Sequence, residues 1–283
     1  MSAATRSRWG GYLRGSGRDI SVPPAHAMKI ATYNLNGING RLALLLRWLA
    51  LAEPDVVCLQ EFKASDERFP ERAILDLGYE AIWLGQKSWH GVAILSRVGE
   101  IHDTRRGLPR EPEDVQSRYI EAAVDGVLIV GLYLPNGNPR PGAKFDYKLR
   151  WSDWLHDHLS TVVALDPPVV VAGPFNVMPT ISTSMYLIAG ATMRCLPPEV
   201  REAYARLLEL GWTDAFRDLH PDERIYTFGK YWRNSFEHNA GLRIDHDLLN
   251  DEAVTRLISA EVDRRTRGWG QDQRPCAGYH QIA

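Results

Sequence analysis

The chain has 283 residues, of which 45% are hydrophobic, and carries 33 basic against 35 acidic side chains for a formal net charge of −2. That size and apolar content suit one large two-sheet domain or two small ones and exclude a disordered polymer, and no run approaches the ~20 apolar residues of a membrane span. The near-zero charge offers no overall basic footprint for nucleic acid, but a local patch survives a neutral total where cation-binding carboxylates offset phosphate-binding basic residues.

Residues 1–27 are rich in Arg, Gly, Ser and Pro, without an apolar period or a signal-like core. They are expected to form a flexible extension ahead of a single domain over 28–283, with the cytoplasm as the default compartment. Met28 to Asn34 reads as an apolar strand, Leu42 to Leu51 as an amphipathic helix, Asp55 to Gln60 as a second strand and Pro70 to Leu77 as a helix. Short strands are expected at Glu80 to Leu84, Gly91 to Ser96, Tyr119 to Val124 and Val127 to Tyr133. Lys144 to Leu165 reads as a long helix with Leu149, Trp151, Trp154, Leu155 and Leu159 on one broad face. Pro168 to Gly173 follows as a buried strand, Glu199 to Leu210 as a helix and Leu242 to Leu249 as a strand. This alternation suits two packed sheets with helices outside, and neither a fixed-period repeat nor a linker divides it. Cys58, Cys195 and Cys276 match no metal-ligand spacing and are expected to be reduced thiols.

Polar residues recur where these apolar strands end. Thr32-Tyr33-Asn34-Leu35-Asn36-Gly37-Ile38 closes the first strand and Cys58-Leu59-Gln60-Glu61 the second. Each alone has a bland explanation, Asn34 as a turn residue and Glu61 as a solvated strand end. The same arrangement returns in Tyr133-Leu134-Pro135-Asn136-Gly137, Gly173-Pro174-Phe175-Asn176 and Arg243-Ile244-Asp245-His246, so the side chains are positioned to converge on one site.

Together with Gly85-Gln86-Lys87 and Gly91-Val92-Ala93-Ile94-Leu95-Ser96, these stretches resemble the exonuclease III and AP endonuclease branch of the endonuclease/exonuclease/phosphatase superfamily, from Met28 to about Trp269. The resemblance implies an α/β fold, a four-layer α/β sandwich of two packed mixed β-sheets flanked by helices. It also implies a DNA repair phosphodiesterase, a 3′→5′ exonuclease and AP endonuclease that hydrolyses double-stranded DNA at abasic sites or 3′ ends, as a monomer. Glu61 and Asn34 match the residues beside a catalytic Mg²⁺ or Mn²⁺ ion, a hard cation that takes oxygen ligands. Tyr133 matches the phenol facing the scissile phosphate, and Asn176 and Asp245 match residues that orient nucleophile and phosphate. Lys87, Arg118 and Asn136 lie in segments that the resemblance brings to the DNA backbone.

The sequence departs from the pattern at named positions. Pro174 stands where the family has Asp in Gly-Asp-x-Asn, and Ala277 and Gly278 stand for the Asp-His pair of a terminal Ser-Asp-His-Ala-Pro-Val. Gly229-Lys230 replaces a Trp-Asp of the lesion-recognition surface, Asp247 occupies an apolar strand position, His280 reads as a surface histidine, and residues 181–195 match poorly. A missing acid–base group typically costs ~10²–10⁴-fold, so a low rate is implied. Two other readings stay open: a catalytically silent DNA-binding homologue, or a small-molecule phosphatase of the same superfamily.

The tail carries its own hypothesis. One back-translation of Trp269-Gly270-Gln271-Asp272-Gln273-Arg274-Pro275-Cys276-Ala277-Gly278 is TGGGGACAAGACCAGCGACCATGCGCCGGT. Removing one G from its first run makes it read Trp-Asp-Lys-Thr-Ser-Asp-His-Ala-Pro, so residues 270–283 are expected to follow a single-base insertion. Sequencing the gene should show whether that run holds three guanines or four. The tail has also lost its apolar alternation, and a terminal strand there is expected to be a frayed sheet edge.

Overall fold

The computed structural model describes residues 27–109, 114–180, 197–228, 241–263 and 277–282, the backbone alone for 277–280. In the first sheet, β1 (Met28–Asn34) passes through α1 (Leu42–Ala52) to the parallel β2 (Val56–Gln60). Leu45, Trp48, Leu49 and Ala52 recur at helical spacing and bury one face of α1, which ends on Glu53 in the left-handed conformation. After α2 (Glu71–Leu75), β3 (Glu80–Leu84) and β4 (Val92–Ser96) pair antiparallel, and β4 joins β2. β2 and β4 are buried at every position, which explains their unbroken apolar runs.

The second sheet begins with β5 (Ile101–Arg106), β6 (Tyr119–Val124) and β7 (Val127–Leu132). The long α3 (Ala143–Val162) returns the chain to β8 (Val169–Pro174), parallel to β7. There follow α4 (Pro198–Glu209), β9 (Thr213–Asp214), α5 (Ala215–Leu219), β10 (Asp245–Leu249), α6 (Asp251–Val254), β11 (Leu257–Asp263) and β12 (Ala277–Ile282). The sheet orders are β11-β12-β1-β2-β4-β3 and β5-β6-β7-β8-β10-β9.

Ile30, Cys58 and Ile94 of the first sheet share an apolar cluster with Ile120, Ile129 and Ala172 of the second. A second cluster packs Trp48 and Leu49 of α1 on the outer face of the first sheet, and a third packs Trp151 and Leu155 of α3 and Tyr204 of α4 on that of the second. The expected four-layer α/β sandwich is therefore the fold. The thiol of Cys58 is free and buried in the central layer, which pushes its pKa up.

The structure corrects the expectation of an edge position for the terminal strand. β12 lies inside the sheet, antiparallel to β1 on one side, with Met28 opposite Ile282 and Thr32 opposite Gly278, and to β11 on the other. Ladder pairing uses backbone N–H and C=O groups, which a strand without apolar alternation still supplies. The edges are β11 and β3 in one sheet and β5 and β9 in the other. β10 begins at Asp245 rather than Leu242, because Leu242 bridges Phe228 and the Ile244 carbonyl accepts from the Phe175 and Asn176 amides. The expectations for residues 1–26, Cys195 and the poorly matching 181–195, Gly229-Lys230, and Cys276 with the tail before Ala277 lie outside the described residues, as does the side chain of His280.

Gly173 shows how tightly the two parallel strands approach at the site end. It has φ +149°, and a Cβ there would stand 2.1 Å from the Leu132 carbonyl oxygen. Backbone cannot yield as a flexible side chain would, so Gly173→Ala should destabilise by ~2 kcal/mol or more. Urea denaturation measures this, and a loss below about 0.5 kcal/mol would contradict the close approach.

Candidate active site

The carboxyl ends of β1, β2, β7 and β8 open on one rim of the sandwich, and Asp245, at the start of antiparallel β10, joins them opposite Pro174. Backbone strain gathers here. Among the described residues eight non-glycine positions have positive φ, and six of them, Asn36, Glu61, Lys63, Ser88, His90 and Asn176, lie in the loops that follow these strands or on the adjoining 85–91 loop. Such conformations cost roughly 1–3 kcal/mol each and persist where the surroundings hold them, most often at functional sites.

Asn34 Nδ2 donates to Glu61 Oε1 at 2.8 Å, while Asn34 Oδ1 accepts from the Asn36 amide at 3.1 Å. Lys63 Nζ lies 3.0 Å from Glu61 Oε2 and also donates to Asn36 Oδ1. The Tyr133 hydroxyl completes the ring around the carboxylate. Burial pushes the Glu61 carboxyl up, but the hydrogen bond from Asn34, the charge and hydrogen bond of Lys63 and the Tyr133 hydroxyl outweigh it and hold the pKa below its ordinary value. Glu61 is therefore an anion around neutral pH. Burial and the Glu61 charge push Tyr133 the other way, so its phenol keeps its proton and can donate it in a hydrogen bond.

Arg118 supports Tyr133 from behind. Only 6% exposed, its guanidinium sits 4.7 Å from the Tyr133 ring centroid, and it donates to the Tyr133 carbonyl at 3.1 Å and to Gln116 Oε1 at 2.7 Å. Lys87 is exposed on the loop after β3, and Asn136 is half-buried and accepts from the Asn138 side chain. Burial and the Arg118 charge lower the His90 pKa to about 4, so its ring is neutral beside the guanidinium.

Asn176 is held by three segments of the second sheet's side of the sandwich, the ends of β7 and β10 and the helix α3. Its backbone amide donates to the Ile244 carbonyl at 3.2 Å, its Nδ2 to the Leu134 carbonyl at 2.7 Å, and its own carbonyl accepts from Lys148 Nζ at 2.7 Å. Beneath it, buried Asp214 accepts from Arg243 Nη1 at 2.8 Å and from the Tyr204 hydroxyl at 2.9 Å, with His246 Nδ1 at 3.3 Å. His246 Nε2 lies 3.0 Å from the Val177 carbonyl, so this network buttresses the segment that carries Asn176.

Asp245 is buried, its amide donates to Thr227 Oγ1 at 3.2 Å, and it feels the charge of Glu61. Burial, opposed by Thr227 and reinforced by Asp247 and Glu61, raises its pKa to about 6. Since the folded value exceeds the unfolded one, the stability this group contributes is full below the unfolded value of 3.8 and is lost as the pH rises through about 6. Asp245→Asn should remove that loss, stabilising the metal-free protein at pH 7.5 by on the order of 3 kcal/mol relative to its effect at pH 4. Denaturant titrations at the two pH values measure the difference, and equal effects at both would refute a buried anion.

Asn34, Glu61, Tyr133, Asn176 and Asp245 thus come together from five strand ends. Pro174 has no proton to exchange and no metal-binding atom in its side chain. The backbone of Gly278 stands opposite Thr32, two residues before Asn34, so β12 opens on the same rim. Sequence reasoning missed Asn36, Lys63, Lys148 and Thr227. Asn36 and Lys63 each lie two residues beyond a residue already singled out, whereas Lys148 and Thr227 carry no local signal because the fold delivers them from elsewhere.

Glu61 and Asn34 carry side-chain oxygens that could be offered to a divalent cation. No cluster of three or more His, Cys, Asp or Glu residues that could hold a metal occurs among the described residues. One carboxylate suits Mg²⁺, which keeps several waters and relies on substrate phosphate for further ligands. Lys63 shows that a positive charge already sits against Glu61 Oε2.

The Endonuclease/Exonuclease/phosphatase family model matches residues 31–265. The exodeoxyribonuclease III of Haemophilus influenzae is 32% identical over 250 residues, which cover 83% of this chain and 92% of that protein. The Neisseria 3′ phosphatase NExo, solved with a product DNA hairpin, superposes with a TM-score of 0.84 at 32% identity, covering 91% of this chain and all of that one. An AP endonuclease from Archaeoglobus fulgidus gives 0.84 at 32% identity over 90% of this chain and 99% of that chain. With the motifs, the sandwich and the rim of polar strand ends in agreement, the chain belongs to the endonuclease/exonuclease/phosphatase family.

Proposed function

We propose that the chain is a divalent-metal-dependent DNA phosphodiesterase of the exonuclease III and AP endonuclease type, acting on double-stranded DNA at abasic sites or 3′ ends. The observation that carries this reading is the hydrogen-bonded set of Asn34, Glu61 and Tyr133 on the rim that also holds Asn176 and Asp245. Bound Mg²⁺ or Mn²⁺ would supply Lewis-acid stabilisation of the charge that develops on phosphate oxygens. Glu61, kept anionic, and Asn34 would hold that cation; Tyr133, kept protonated, would turn the one proton it gives to Glu61 toward a phosphate oxygen; Asn176 presents its side chain from a braced left-handed turn. Lys87 and Asn136 meet the DNA backbone, and Arg118 acts there through Tyr133. The relatives named for exonuclease, 3′ phosphatase and AP endonuclease activities support DNA as the substrate. We read the protein as a cytoplasmic monomer, and no helix among the described residues is long and apolar enough to cross a membrane.

Pro174 favours a second reading, a DNA-binding homologue without the chemistry, because it supplies no proton acceptor opposite Asp245. A duplex with one abasic site, incubated with Mg²⁺ or with chelator, separates the two. Metal-dependent incision supports the enzyme; a mobility shift without a cut supports the silent homologue; neither a cut nor a shift refutes both.

A further inference from the structure

Trp89 is 66% exposed, although indole rings are usually sheltered from water. Its loop is not loose. Ser88 and His90, on either side, both hold positive φ, at 72° and 63°. The Lys63 amide donates to the His90 carbonyl and the Gly91 amide to the Ser117 carbonyl, each at 3.0 Å, while Ser117 bonds back to Gln86 and Gly85. A rigid frame thus presents a large aromatic ring to solvent.

Its surroundings say what can cover it. Lys63 Nζ stands 5.5 Å from the ring centroid and 3.0 Å from Glu61 Oε2, so the ring and the candidate metal-binding carboxylate share one ammonium neighbour. Lys87, two residues earlier, is exposed. A flat apolar face beside cations suits a ligand that combines a planar ring with phosphate, and a nucleotide whose base has left its helical stack offers both. An internal paired base keeps both faces against its neighbours. A terminal one, with one face free, is held in the duplex by its pairing and must be unpaired before it can leave the stack for the platform.

We propose that Trp89 is a stacking platform for an unpaired nucleobase next to the scissile phosphate, favouring frayed 3′ ends over fully paired ones. This rests on DNA being the substrate. A base stacked on an aromatic side chain is expected to change affinity by about tenfold.

The test measures binding by anisotropy in Mg²⁺ buffer, with phosphorothioate linkages slowing cleavage, on a duplex with a mismatched 3′ end and on its fully paired counterpart. Wild type should prefer the mismatched probe. Trp89→Ala should lose about tenfold on that probe and change by less than about twofold on the paired one, and Trp89→Phe should recover most of the loss. An exposed side chain leaves the fold intact, which unchanged thermal unfolding would confirm. Equal weakening on both probes, or no change on either, overturns the platform while leaving DNA recognition standing. Wild-type failure to bind either probe overturns the substrate assignment, and the platform with it.

Discussion

Restoring Pro174→Asp together with a tail rewritten from Gly270 as Asp-Lys-Thr-Ser-Asp-His-Ala-Pro should raise metal-dependent incision of an abasic duplex by ~10⁴-fold or more, because each acid–base group typically contributes ~10²–10⁴-fold. Either change alone should recover less than about tenfold, since groups that act as one unit are far from additive. The structure supplies a reason for the coupling. Pro174 faces Asp245 across the ladder, and the Asp245 carboxyl already has its pKa raised to about 6 by burial and by neighbouring charges. A second carboxylate placed there alone raises both pKa values and favours a shared proton over a free base. A basic group arriving with the tail offsets that charge: counted from Gly270, the rewrite puts its Asp and His at 274 and 275, just ahead of β12, which opens on the same rim. Single-turnover rates of the four proteins decide the matter. A Pro174→Asp variant as fast as the combined one would show that the tail contributes nothing.

Asp214→Ala should cost 3–5 kcal/mol of stability, roughly the penalty of stranding a buried charge. Arg243 is 0% exposed, and Asp214 accepts from its Nη1 through both carboxylate oxygens, at 3.0 and 2.8 Å. Burial pushes the Asp214 carboxyl up, but Arg243 and His246 outweigh it and hold the pKa well below the ordinary range. A carboxyl depressed in this way contributes stability that is present above its unfolded value and lost as the pH falls through its folded value, so the pair stays ionised through mild acid. Adding Arg243→Met to the Asp214→Ala variant should recover much of the loss, because the stranded cation goes with it. Urea denaturation reads both effects, and a single-variant loss below about 1 kcal/mol would refute the account. The same variant should lower activity beyond what unfolding explains, since the network braces Val177 through His246.

The central strands were legible because β1, β2, β4, β7 and β8 are buried on both faces or nearly so and read as apolar runs. β5, β9 and β11 went unread for the opposite reason. β5 has no fully buried residue, β9 is two residues long and β11 mixes Ser and Glu with Leu and Val, as sheet edges do. In the candidate site, Asn34, Glu61, Tyr133 and Asn176 stood out as polar residues closing apolar strands, and Asp245 as one at the head of another. Lys148 and Thr227 did not, since their partners come from other segments.

What the amino-acid order determined by itself was which segments are the central strands, which polar residues lie at their ends and where the family pattern fails, because side-chain period and strand-end polarity are local properties. Tertiary structure alone decided that β12 lies between β1 and β11, that Pro174 faces Asp245, that Arg118 stands behind Tyr133 and that Trp89 faces water. Those outcomes depend on which backbone groups pair across sheets and on how closely two strands approach, distances that no single stretch of sequence contains.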